Sequence, residues 1–237
     1  MYYMNEFLLF ATLVVTFGAV LLCYRFLGKG GLFAFTAVAT VLANIEVLIL
    51  ICAFGFEQTL GNVLFASTFL ITDILSENES KSSAVKAVFI GLATSVFMVA
   101  VTQSWFLYVP SVNDWAQPHL KELFRIAPRL LAASFIGYAI SQLLDVFLYH
   151  AWWKFTEKKT ASKRGFLWLR NNGSTLVSQF VNAIVFNFIA FWGVYDTKTV
   201  LSIVASSYII YVATSLLDTP CVYIARRIKE KREIKNA

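Results

Sequence analysis

The apolar positions of the chain fall into seven runs, residues 7–27, 32–54, 58–75, 85–109, 128–153, 175–194 and 199–225. Each is close to the ~20 residues that a helix needs to cross a bilayer. The pattern predicts an all-α fold, a polytopic transmembrane helix bundle of seven spans. The third run is the shortest, and the alternative makes it a re-entrant segment in a six-span bundle. Little chain remains between the runs, so one integral membrane domain over residues 1–237 is expected. The first run is long enough to span and has no basic segment before it, which argues against a cleaved signal peptide.

Polar residues recur inside the runs at helical spacing. In the fifth run Ser134, Tyr138, Ser141, Asp145 and Tyr149 are separated by 4, 3, 4 and 4 positions, so they share one face. Thr175, Gln179, Asn182 and Phe186 form a similar stripe in the sixth run, and Ser207, Tyr211, Thr214 and Asp218 in the seventh. The second run carries Thr36, Thr40 and Asn44 on one face with Glu46 to the side, and the third ends in Thr72, Asp73, Ser76 and Glu77. The sixth run is preceded by Arg170, Asn171, Asn172, Gly173 and Ser174. An unsatisfied polar group in hydrocarbon costs several kcal/mol, so such stripes either hold helices together or line a site for a polar ligand.

Charge orients the bundle. With the N-terminus outside and the C-terminus inside, the inner segments hold Arg25 and Lys29, Lys81 and Lys86, six Lys/Arg in residues 154–170 and six in residues 226–235. Only Lys121, Arg125, Arg129 and Lys198 fall outside, so sixteen of the twenty Lys and Arg lie on the inner side, the expected bias for a membrane protein. On this topology Asp145, Asn182 and Asp218 lie roughly 10–12 Å from the inner boundary. One layer could gather them, with Asp73 and Glu77 beneath.

Composition narrows the function. The chain is 58% hydrophobic and only 14% charged, where soluble domains carry about 25% charged residues, and its mean hydropathy is +0.67. The pI near 9.2 follows from the basic inner loops, so no nucleic-acid partner is expected, while the basic tail suits anionic membrane lipid. Cys23, Cys52 and Cys221 lie in apolar stretches without metal-ligand spacing, and His119 and His150 are isolated. Phosphate-binding GxxxxGK[ST], HExxH and GxSxG patterns are absent from the sequence, which argues against an ATPase or hydrolase. No enzyme activity, metal or cofactor is expected.

Several blocks resemble the queuosine precursor transporter family, also called the VUT family of vitamin-uptake-type transporters. They are Ala43-Asn44-Ile45, Thr72-Asp73-Ile74-Leu75-Ser76-Glu77-Asn78, Ser141-Gln142-Leu143-Leu144-Asp145, Trp168-Leu169-Arg170-Asn171-Asn172-Gly173-Ser174-Thr175 with Ser178-Gln179, and Asp218 with Pro220. The family usually has an acidic residue where this chain has Asn182. The resemblance implies a multi-pass protein of the bacterial inner membrane that imports 7-deazaguanine bases for tRNA queuosine: 7-cyano- or 7-aminomethyl-7-deazaguanine, or queuine. A carboxylate can accept the side-by-side N–H donors of a guanine-like edge, amides and hydroxyls can serve its carbonyl side, and an aromatic ring can cover its face. On that reading Asp145 or Asp218 takes the N–H edge, Gln179 and Asn182 the carbonyl side, and a stripe tyrosine such as Tyr138 stacks. Ser141, Asn44, Glu46 and Asp73 complete the candidate site, and Arg170, Asn171, Asn172 and Glu77 form its inner mouth. A homodimer and energising subunits stay open as partners. The alternatives are a substrate-binding subunit of an energy-coupling-factor transporter and a non-transporting membrane scaffold.

Overall fold

The structure is a computed structural model that describes residues 2–126, 128–160, 166–193 and 195–236. Its first helix, α1 (Tyr2–Glu46), is two arms, residues 2–27 and 29–46, broken at Gly28. Gly28 has φ 63° and ψ −150°, a left-handed conformation that favours glycine. The Asn5 amide donates to the Cys52 carbonyl at 2.9 Å, and the Phe54 N–H to Glu6 Oε1 at 2.9 Å. A straight helix of this length would hold its ends about 65 Å apart, so α1 doubles back. Gly31 permits the arms to meet, since a Cβ there would lie 2.6 Å from the Cys23 carbonyl oxygen.

The second arm stops at Glu46, short of the end of its apolar run. Residues 50–59 instead form a hairpin of β1 (Leu50–Ala53) and β2 (Phe56–Thr59), antiparallel with Ala53 opposite Phe56. Phe54 and Gly55, with φ of 55° and 78°, make its two-residue turn, the positive-φ geometry that matches strand twist. Hydropathy alone cannot separate so short an apolar strand from a helix end.

From the hairpin the chain enters α2 (Asn62–Asn78), turns, and returns as α3 (Lys81–Ser104). Ser80 caps α3 by accepting the Ser83 N–H at 3.1 Å. A short 3₁₀ turn (Trp105–Leu107) leads to α4 (Ala116–Ile126), which Asp114 caps through the Ala116 and Gln117 N–H groups. The long helices α5 (Pro128–Thr160), α6 (Leu167–Phe191) and α7 (Thr197–Asn236) follow. Helix α6 begins eight residues ahead of its apolar run, so the Arg170–Thr175 approach is itself helical. Lys163 and Arg164, counted among the inner charges, lie outside the described residues.

Five of these helices are long and apolar enough to cross a membrane. The bundle turns its apolar side chains outward: Phe7, Val15, Phe26, Phe97, Phe147 and Ile209 are all exposed. Its interior holds Asp73, Asp145, Arg170, Asn171, Ser178 and Gln179 at 1% exposure or less. This inversion suits a lipid surround. Helix α2 is the central post. Among its residues only Asn62, Phe65 and Glu77 are less than fully buried, and all three belong to the polar column.

Candidate functional site

The stripe on α5 sets the order of the polar column. Ser134 and Tyr138 line a pocket, Asp145 stands in a carboxyl layer, and Tyr149 reaches a buried ion pair. The pocket is walled by Thr40 and Asn44 of the second arm of α1, Asn62, Phe65 and Thr68 of α2, Ser95 of α3, Asn182 and Phe186 of α6 and Tyr211 of α7. Asn44 is fixed by donating to the Thr40 carbonyl at 2.9 Å and to Ser95 Oγ at 3.1 Å. The Tyr211 hydroxyl donates to Asn62 Oδ1 at 3.3 Å and also faces Asn182. The Phe65 ring stands 6.0 Å from Tyr138 and 6.2 Å from Tyr211, forming an aromatic wall. A lining of both amides and aromatic rings suits a flat, hydrogen-bonding solute.

The carboxyl layer lies one to two helical turns along. Asp73 Oδ2 accepts from Thr175 Oγ1 at 3.2 Å, and Asp145 Oδ1 from Ser178 Oγ at 2.9 Å. The two carboxyls also lie within hydrogen-bonding reach of each other. Asp218 Oδ1 accepts from the Asn171 amide at 2.9 Å and adds its charge to the same layer. Four buried acceptors here lack a partner: Asp73 Oδ1, Asp145 Oδ2, Asn171 Oδ1 and Gln179 Oε1. The layer therefore has an excess of acceptors over donors.

Beyond it sits the ion pair. Arg170 Nε donates to Glu77 Oε2 at 2.8 Å and its Nη2 to Glu77 Oε1 at 2.5 Å. Tyr149 adds its hydroxyl to Glu77 Oε2 at 2.8 Å, and the guanidinium lies 4.4 Å from the Trp153 ring. Arg226 approaches Glu77 at 3.8 Å. This end also carries the Tyr24–Glu79 bond at 3.0 Å and the Lys229–Glu79 pair at 3.6 Å. Arg232 donates to the carbonyls of Tyr24 and Arg25 at 2.6 and 2.7 Å, holding the reversal of α1.

The structure brings the sequence candidates to different levels. Asp73, Asp145, Asp218, Asn171 and Gln179 belong at or beside the carboxyl layer. Asn44, Asn182 and Tyr138 line the pocket. Asn182 thus sits one turn from Ser178 rather than level with Asp145, because α6 runs past the carboxyls at Thr175 and Ser178. Ser141 is buried and bonds only within α5, to the Tyr138 carbonyl at 3.5 Å. Glu46 ends the second arm of α1 outside the pocket lining. Asn172 joins α6 to α7, donating to Thr219 Oγ1 at 2.7 Å and accepting from Ser215 at 3.3 Å. Sequence reading missed Asn62, Phe65, Ser95 and Gln142. Gln142 donates to Thr68 Oγ1 at 2.5 Å and accepts from Thr72 at 3.3 Å, tying α5 to α2. The available signals were helical stripes, Asn62–Phe65–Phe69–Thr72–Ser76 for the first two and Tyr138–Gln142–Asp145–Tyr149 for Gln142.

An apolar exterior around a polar column defines a multi-pass membrane protein. The family model described as "Putative vitamin uptake transporter" matches residues 59–225. The chain is 37% identical over 224 residues to a "Probable queuosine precursor transporter" of Bacillus subtilis (strain 168), covering 94% of this chain and 95% of the relative. It is 29% identical over 150 residues to the "Queuosine precursor transporter" of Escherichia coli (strain K12), covering 63% of this chain and 62% of that one. No solved structure matches it. The chain belongs to the queuosine precursor transporter family, a family of transporters rather than enzymes.

Proposed function

We propose that this protein imports queuosine precursors, 7-deazaguanine bases, across the bacterial inner membrane as a seven-span bundle with its N-terminus outside and its C-terminus inside. Among the bases, 7-cyano-7-deazaguanine is the first candidate, followed by the 7-aminomethyl form and queuine. The observation that carries the reading is an aromatic and amide pocket with a buried carboxyl layer one to two helical turns further along the same helices, in a chain so similar to named queuosine precursor transporters. The two arms of α1, the short α2 and four further long helices supply the seven spans.

The base enters the pocket from the outer side. Asn44, Asn62 and Asn182 read its polar edges, while Tyr138, Tyr211 and Phe65 cover its ring. Asp218, whose described hydrogen bonds engage only Oδ1, takes the paired N–H donors on the inward leg, with Gln179 on the carbonyl side. A cationic aminomethyl group finds a further carboxylate in the same layer. The Glu77–Arg170 pair closes the inner mouth in this conformation and must part for release.

The test is expression in bacteria that neither make nor import queuosine precursors, with each base supplied at nanomolar concentration and tRNA queuosine scored by boronate gel shift. Restored queuosine with at least one base is expected. No restoration by any base, with the protein present in the membrane, would overturn the reading. Purified Asp218→Asn should bind the base far more weakly than the unaltered chain, and equal affinity would remove Asp218 from the site.

A further inference from the structure

The carboxyl layer holds more buried acceptors than the hydrogens available to them. Asp73 and Asp145 are each fully buried. Each has one oxygen satisfied by an α6 hydroxyl, Thr175 or Ser178, and one without a partner. The two carboxyls lie within hydrogen-bonding reach of each other. Two carboxylates cannot bond each other without a hydrogen between them, and like charges at such range in a low dielectric cannot both persist. Among the described residues no ion pair reaches Asp73, Asp145 or Asp218. Gln179 Oε1, one residue from Ser178 and 1% exposed, is a further buried acceptor with no donor.

The surrounding charges do not offset the pair. On α7 the charge that acts on it is Asp218, itself negative. On α2 the next turn carries Glu77, which the α6 guanidinium of Arg170 and the α5 hydroxyl of Tyr149 both engage. Arg226 of α7 also leans toward Glu77. The cations of this region therefore gather one turn away, and the pair lies between them and the pocket.

We infer that Asp73 and Asp145 form a proton-carrying pair that couples inward movement of the base to inward movement of one proton. The inference rests on the import reading above. The pair takes a proton from water on the outer, pocket side, forming one carboxyl O–H bond, and that bond breaks when the proton passes to water on the inner side as the Glu77–Arg170 pair parts; no bond of the base changes. The 7-cyano base crosses uncharged, so one positive charge enters per cycle with it.

The test uses the full chain in proteoliposomes, with 7-cyano-7-deazaguanine and the membrane potential clamped at zero. One coupled proton means that each pH unit of gradient, acid outside, raises the accumulation ratio about tenfold, the factor equivalent to one pKa unit of free energy. Asp73→Asn and Asp145→Asn should abolish gradient-driven accumulation while at least one keeps counterflow exchange of the base. Exchange without gradient-driven accumulation in the unaltered chain overturns the coupling and leaves import standing. Gradient-driven accumulation that survives in both variants overturns the assignment to this pair. Absence of exchange in the unaltered chain overturns import and the coupling with it. Infrared spectra give a readout independent of transport. A protonated-carboxyl band at neutral pH, lost in both variants, is expected, and its absence from the unaltered chain overturns the shared proton.

Discussion

Gly91 on α3 sets the room that Tyr138 occupies. A Cβ at this position would fall against the Tyr138 hydroxyl and lie 2.7 Å from its Cζ. Gly91→Ala must push the ring toward the pocket, and overpacking of this kind costs about 1–3 kcal/mol. Thermal unfolding in detergent should show the loss, and uptake of the base should fall more steeply than the amount of folded protein. Arg170 makes a second prediction. Its planar fork meets both Glu77 oxygens and stacks on Trp153, which lysine cannot reproduce. Glu77→Gln removes the carboxylate that Arg170, Tyr149 and Arg226 all approach, and breaking a buried pair costs about 3–5 kcal/mol, so its thermal midpoint should drop well below that of Arg170→Lys. Equal midpoints would show that the charge of the pair matters less than its hydrogen bonds. The buried carboxylates were legible in the sequence because helical spacing put them on stripes. Gln142 was passed over although it stands four residues after Tyr138 and three before Asp145, on the same face, and only the neighbouring α2 reveals what it bonds, Thr68 and Thr72.

At the scale of elements, the reversal of α1 depends on glycine and on a distant arginine. Arg232 comes from the far end of α7 to bond the carbonyls of Tyr24 and Arg25, which a broken helix leaves without their usual partners. Arg232→Ala should speed amide hydrogen exchange around residues 24–31 and leave exchange in α5 unchanged. Hydrogen bonds to a charged group are worth about 1.5–3 kcal/mol, so the local effect should be readily measured. Uniform acceleration throughout the bundle would instead mean that this clamp supports the whole fold. The break between the first two apolar runs was visible in the sequence at Lys29-Gly30-Gly31, and α1 turns at that place. The β-hairpin was hidden because Leu50–Phe56 is as apolar as the helix before it, and its turn depends on positive φ at Phe54, where sequence gives only the neighbouring Gly55 as a hint.

For the molecule as a whole, the three levels of the column meet on α2, which reaches α5 through Gln142, α6 through Thr175 and Arg170, and α7 through Lys229. Motion that opens one end must therefore rearrange bonds on a post held by several neighbours. The proposed orientation is open to a simple measurement. A fluorescent protein that folds only in the cytoplasm should glow when fused to the C-terminus and stay dark at the N-terminus. Fluorescence from both fusions would favour the six-span alternative, in which both ends face inward.

The 17 residues of α2 extend about 25 Å, less than the ~30 Å of a bilayer's hydrocarbon core. Neighbouring helices cover nearly all of α2, so its short length leaves a recess bounded by protein and not by lipid, and the hairpin before α2 lies at that end. On the proposed orientation a solute arriving from outside meets a shortened apolar barrier there. Shielded in this way, the recess should keep its depth when the bilayer thickens, so the rate of uptake should change little as the reconstituting lipid is made thicker.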